Sequence, residues 1–550
     1  MALIRLFILA VVFLGMAQSA SAQDTTIRVT KTAWTQQDES NFSKFIQALG
    51  RTKCNTVDKC IRSEANPYRG TDPAESPFYS DCADFPYFLR MYFAWKNGLP
   101  FAYATTPQPV VPPNARPEDF PADGKMDTRY AKWGNSFAGR RFLMPRSSES
   151  SFPEFFSEAQ RLQDSISTAM FRHHPEMTAG VPTDFYSVEI SKQAITPGTV
   201  IYDPNGHIVV VYEVLPDGKI LYFAAHPDNS VSRGSFSNKM IRSKPDHGAG
   251  FRKFRPFQVV GAKKFSDGSL YGGKLEYLDN RNIPDFSTVQ YFGLERDATA
   301  WQKGKFFANG KEVDFHSYVQ MTMASEGFKM NPVADFESSL AELCDSVKQR
   351  VEAVNVAVTA GVHMTPHMDP LPRNIYGAEG LWESYSSPSR DVRLKMEYRD
   401  LIAKVRTYYA RLQSGDSNIE YQGNGLKVDL IKAYQKVNYK CQLSYANSKG
   451  QPIPLTIENV NSRLYGLSFS PFHCPERRWG ATGSELRTCT DDSNKERWYI
   501  AQQFLRDTLL RDPSQVMGWS LMDLENGAAP QSTEQRPDLN LKSFLEGLPN

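Results

Sequence analysis

Beyond its first residues the chain has no hydrophobic run long enough to cross a bilayer as a helix. It has almost no surplus of charge either, with 63 Lys and Arg against 61 Asp and Glu. Near-balance argues against a nucleic-acid binder, which usually carries a basic excess. No internal repeat or low-complexity segment stands out. Hydrophobic residues at 41% and aromatics at 12% supply ample material for burial, which excludes a disordered chain. Cysteine is scarce and odd in number: seven thiols cannot all pair, so at least one is left over.

The opening "MALIRLFILAVVFLGMAQSASAQ" sets the expected compartment. Arg5 precedes an apolar run from Leu6 to Met16, and small residues ending Ala20-Ser21-Ala22 suit a signal peptidase. Residues 1–22 are therefore read as a signal peptide, and the protein as secreted or periplasmic. All seven cysteines lie after it, where an oxidising compartment favours disulfides. Cys54 and Cys60 can close a small loop, and Cys474 and Cys489 bracket a polar segment. Cys344 and Cys441 would then pair across a long span, leaving Cys82. The alternative is a bonded Cys82, with another cysteine buried and inert.

Residues 23–550 exceed what one core usually accommodates, so two or more domains are expected. Up to about residue 285 helix and strand signals mix. The proline-rich "TTPQPVVPPNARPEDFPADG" (105–124) reads as an irregular surface excursion. In the stretch from Phe152 to His174, Phe155, Ala159, Leu162, Ile166 and Ala169/Met170 recur at helical spacing. "GTVIYD", "HIVVVYEV" and "KILYFAAH" are β-rich, the last two joined by the turn signal "LPDG". After about residue 286 the pattern turns helical. Phe336, Leu340, Leu343, Val347, Val351 and Val354 form one amphipathic stripe. Leu394, Tyr398, Leu401, Val405, Tyr408 and Leu412 form another, and a third helix is expected near "DDSNKERWYIAQQFLRDTLL".

The leftover cysteine sits in "SDCADFPYFLRMYFAWKNGLP". Phe85, Phe88, Leu89 and Tyr92 mark one helical face, with Gly98 and Pro100 as a stop. Pro86 cannot donate a helical hydrogen bond and belongs in the first turn, which puts the helix start near Asp81 to Asp84. Cys82 is thus expected at a helix N-terminus, where free N–H groups and the dipole favour a thiolate and could hold an oxyanion. A thiol nucleophile needs a base, and His207 opens a strand directly after "YDPNG". His226 ends the partner strand; it, Asp228 or Asn229 could orient the imidazole. A two-residue Pro216-Asp217 loop would put His226 across from His207 on one face. A glycine bulge would shift the pairing by one and turn His226 away.

The "DCAD" cysteine ahead of an amphipathic helix, followed by "PGTVIYDPNGHIVVVYEVLPDGKILYFAAH", resembles the papain-like cysteine hydrolase superfamily. The second stretch is similar to NlpC-type cell-wall endopeptidases and amidases, and the first to bacterial transglutaminase-like proteins. The resemblance implies an α+β fold with a papain-like core: a helix bearing the cysteine, packed on an antiparallel sheet. It implies Cys82 as nucleophile, His207 as base, and His226 (NlpC type) or Asp228 (transglutaminase type) as third residue. The interval from Cys82 to His207 is longer than such domains usually show, which implies an insertion around 105–185.

The expected layout is therefore a signal peptide at 1–22, a catalytic domain at 23–285, and a mainly helical accessory region with a disulfide-closed loop at 286–550. The expected activity is hydrolysis of amide or peptide bonds through a Cys82 thioester, with peptide or peptidoglycan as substrate if the source is bacterial. The alternatives are acyl transfer to an amine, or a non-catalytic envelope binding or scaffold protein. No metal, organic cofactor, nucleic acid or membrane span is expected. His173-His174 are read as closing a helix; "HMTPH" (363–367) and the Cys474–Cys489 loop are poor metal sites. Arg477, Arg478 and Trp479 suggest an exposed patch for an acidic or sugar ligand.

Overall fold

The computed structural model describes residues 24–549, apart from 122–123, 296–299, 326, 377–379, 510–515 and 529–535. The expected signal peptide lies outside the described residues. The fold is α+β, with antiparallel sheets, and among the described residues no helix is long and apolar enough to cross a membrane.

The β-rich runs build a six-stranded sheet: β1 (Phe185–Ser187), β2 (Val200–Asp203), β3 (His207–Val214), β4 (Ile220–Ala225), β5 (Val231–Ser235) and β6 (Gly250–Phe254). Their spatial order is β1-β6-β2-β3-β4-β5, every neighbouring pair antiparallel. Both faces are covered, which explains the near-continuous apolar run of β3. Ile208, Val210, Phe223 and Ala225 enter one core; Val209, Val211, Tyr222 and Ala224 enter another.

The first core is roofed by α1 (Gln36–Arg51), α2 (Phe85–Asn97) and α3 (Phe155–Ser165), whose Phe42, Phe45, Phe88 and Tyr92 dominate it. Phe85 meets Phe223 edge-on at 5.1 Å, seating the start of α2 on the sheet. Gly98 ends α2 in the left-handed region (φ 61°), where a Cβ would come within 2.3 Å of Thr30 Oγ1. The opposite face is covered by α4 (Phe315–Met323), through Phe315, Val319 and Met323.

A third core is helical: α5 (Pro332–Thr359), α6 (Pro388–Gln413) and α7 (Leu426–Lys440). Of the two expected stripes, ten positions are buried and Val351 and Leu412 are half-buried. A fourth gathers Trp382, Phe469, Phe472 and Trp498. The helical part docks on the sheet through polar links: Ser235 donates its N–H and hydroxyl to Glu342 of α5, and Lys219 pairs with Asp335 at 3.3 Å.

The three disulfides are those expected, Cys54–Cys60, Cys344–Cys441 and Cys474–Cys489, with Cα separations of 5.1, 5.9 and 5.5 Å. Cys82 is the free thiol. Two expectations for the first half are corrected. The proline-rich stretch is not wholly irregular, because Ala102–Pro109 pairs with Asn135–Phe142 as a hairpin. The helix of 155–174 stops at Ser165, so His173 closes no helix; it is buried and takes a 2.6 Å hydrogen bond from Arg252.

Candidate active site

Two carboxylates build the turn that carries Cys82. Asp81 accepts the N–H groups of Ala83 (2.7 Å) and Asp84 (3.2 Å), and Asp84 accepts the Asp81 N–H (2.6 Å) and the Ser80 hydroxyl (2.7 Å). These bonds hold Cys82 in a turn just ahead of the first helical residue, Phe85, with Pro86 in the first helical turn.

The same turn works against the expected thiolate. Asp81 accepts the two N–H groups that follow Cys82, and its charge opposes a second anion nearby. Burial, then Asp81, push the Cys82 thiol well above the usual range; an N–H from Ile208 and the cation of Arg393 pull the other way without prevailing. At neutral pH Cys82 rests as a thiol.

His207 is delivered by the turn Pro204-Asn205-Gly206, with Gly206 at φ 93° and Asp203 paired to His207 in register. The β3–β4 turn is of the bulged kind, with Gly218 at φ 83° and Val214 opposite Ile220, which alone would carry His226 to the wrong face. A second bulge at Tyr212 restores the register, so Val211 faces Tyr222 and Val210 faces Phe223. The two irregularities cancel. Continued along the ladder, this register sets His226 across from His207, and their rings lie nearly parallel (12°) with centroids 5.3 Å apart. Tyr212 is seated against Gly50 of α1, where a Cβ would sit 2.2 Å from the tyrosine side chain.

His226 is buried and its Nε2 is 2.8 Å from Ser232 Oγ. Burial, with Arg390 and Arg393 nearby, holds its pKa far below the ordinary imidazole value, so it is neutral. Asp228 bonds the Ser230 N–H (3.1 Å) and hydroxyl (2.5 Å) and pairs with Arg390 of α6 at 2.7 Å. Asn229 takes the left-handed conformation (φ 63°) and donates to Phe78 O.

Cys82, His207, His226 and Asp228 line one cavity of about 320 Å³. By strand alternation the histidines share the parity of the α4 face, whereas α2 lies over the other. The cavity takes in both because it lies at the end of the sheet, where Cys82 meets the Ile208 N–H at the start of β3. Its far wall comes from the helical half: Glu383, Ser387, Arg390 and Arg393, with Arg129 and Gln163 at the side. No local signal marked these residues. Arg390 and Arg393 read as ordinary polar positions of an amphipathic helix.

The remaining sequence candidates are structural. His367 is buried against Trp498 (4.4 Å) with both ring nitrogens hydrogen-bonded, to Met368 O and to Ser470 Oγ or Gln502 Nε2. Among the described residues the one group with metal-ligand proximity is Cys474, Glu476 and Cys489, and its two sulfurs are joined in a disulfide. Arg477, Arg478 and Trp479 are buried rather than exposed, which corrects their reading as a ligand patch. No protein-family model, no curated protein and no solved structure matches the chain.

Proposed function

We propose that this protein is an exported cysteine hydrolase with a papain-like core, cleaving amide or peptide bonds. The observation that carries the reading is a single cavity lined by the unbridged cysteine, at a helix start, and by two histidines stacked across a hairpin. The antiparallel sheet with α2 on its face supports the papain-like arrangement.

In this reading Cys82 attacks the carbonyl carbon while His207 takes the thiol proton, so the thiolate forms only as the bond forms. His207 returns the proton to the leaving amine, and water then hydrolyses the thioester, regenerating the thiol. The raised resting pKa of Cys82 suits proton transfer to His207 in step with attack. His226, held by Ser232, supports the His207 ring by contact; Asp228 fixes the turn behind it. Cell-wall peptides are the proposed substrates. The test is release of new amine termini from muropeptides and a peptide library by wild type and by Cys82→Ala. Activity that survives the substitution overturns the proposal.

One observation favours a second reading, a non-catalytic binding protein: the half-buried thiol is held neutral by desolvation and by Asp81. That reading predicts muropeptide binding to Cys82→Ala with wild-type affinity and no turnover by either protein.

A further inference from the structure

Resting on the reading just given, we infer that the helical half completes the active site, with Arg393 of α6 as a positioning residue that stabilises the Cys82 thiolate from across the cavity. Cys82 and Arg393 line the same cavity although more than three hundred positions separate them in the chain. The contact is anchored independently of the thiol: Arg390, one turn earlier on α6, makes a buried ion pair with Asp228 on the β4–β5 turn. Ser387 at the head of α6 is buried, bonding Asp391 and receiving Arg478. The start of α6 is therefore fixed against the hairpin that presents His226.

The charge pattern gives Arg393 its role. From its own turn Cys82 faces Asp81 and Asp84, both of which oppose a thiolate. From the strand ends it faces His207 and the neutral His226. The 105–185 segment adds Arg129, which pairs with Asp127, and Asp164. The helical half adds Glu383, Arg390 and Arg393. Arg390 pairs with Asp228, and Arg393, on the same cavity wall, acts on the sulfur in the favourable direction. A core lacking α6 would keep the cysteine and both histidines and lose this counter-charge.

The experiment is the pH dependence of Cys82 alkylation by iodoacetamide in the full chain, read by peptide mapping between pH 7 and 10. It needs no substrate, so its outcome is separate from whether the protein hydrolyses anything. Arg393→Met should slow alkylation about threefold or more at each pH below the thiol pKa, as expected for an upward shift of about half a unit or more. Arg393→Lys should restore most of the rate. Arg393→His, neutral above about pH 7, replaces the Met variant if the latter does not fold. Wild-type alkylation rates in the Met or His variant overturn the inference, as does a wild-type thiol that resists alkylation throughout. A normal Arg393 effect without amide cleavage would sink the hydrolase reading and leave this one standing.

Discussion

The buried ion pair between Asp228 and Arg390 should be a measurable joint between the sheet and the helical half. Their side chains are 7% and 14% exposed, and the contact is 2.7 Å. Arg390 Nε is already buried without a hydrogen-bond partner, so its Nη2 contacts with Asp228 and the Ser230 hydroxyl carry the compensation for burying the cation. Asp228→Asn keeps an acceptor for the Ser230 N–H but removes the charge. Stranding a buried guanidinium usually costs 3–5 kcal/mol, and residual exposure lowers this to about 2–4 kcal/mol here. Arg390→Met keeps the aliphatic stem and leaves Asp228 bonded to Ser230, so it should cost less, about 1–2 kcal/mol. The double variant should not cost the sum, because the second substitution removes the charge stranded by the first. A coupling of about 1.5–3 kcal/mol is expected. Urea unfolding of the full chain, followed by tryptophan fluorescence for all four proteins, measures it. Additivity within about 0.5 kcal/mol would refute the joint.

Other outcomes follow from the same geometry. His173, His226 and His473 are buried and held neutral, their pKa values far below 6.5. Unfolding lets them bind protons, so their contribution is present above about pH 6.5 and is lost as pH falls below it. Each costs about 1.4 kcal/mol one unit lower. Urea midpoints should fall from pH 6.5 to 5.5, and His226→Gln should flatten the slope; an unchanged slope contradicts the assignment. Gly98→Ala should destabilise by about 1–3 kcal/mol, since φ is 61° and the new Cβ meets Thr30 Oγ1. A wild-type melting temperature would count against it. Removing Cys344–Cys441, which spans 97 positions, should cost about 4–5 kcal/mol, against about 3 for Cys474–Cys489, which spans 15. Equal losses would contradict the loop-entropy account.

Much of this was legible in local chemistry. Spacing pointed to the two short-loop disulfides, whereas the choice among Cys82, Cys344 and Cys441 for the third was settled only in the fold. Pro86 and Gly98 bound α2 through a missing donor and a left-handed stop. The stripes of α5 and α6 declare a buried face without saying what lies against it. The rest depends on tertiary partners. The bulge at Tyr212 lies where that side chain seats on Gly50, a tertiary contact, and with it the face of His226 is set. Ala102–Pro109 becomes a strand because Asn135–Phe142 supplies its ladder. The thiol pKa departs from the helix-terminus expectation because desolvation and the neighbouring Asp81 outweigh the favourable groups, which no spacing shows. Arg390 and Arg393 enter the cavity through docking of the helical half, which no spacing encodes.

The central claim is that Cys82 acts as a nucleophile with His207 as its proton acceptor. It is tested most directly by acid-quenching a reaction with a peptide substrate and mapping the covalent adduct by mass spectrometry. The account predicts an acyl thioester on Cys82 that is lost in Cys82→Ala and forms at least about a hundredfold more slowly in His207→Ala. Turnover with no adduct on Cys82, or acylation undiminished in His207→Ala, would contradict it.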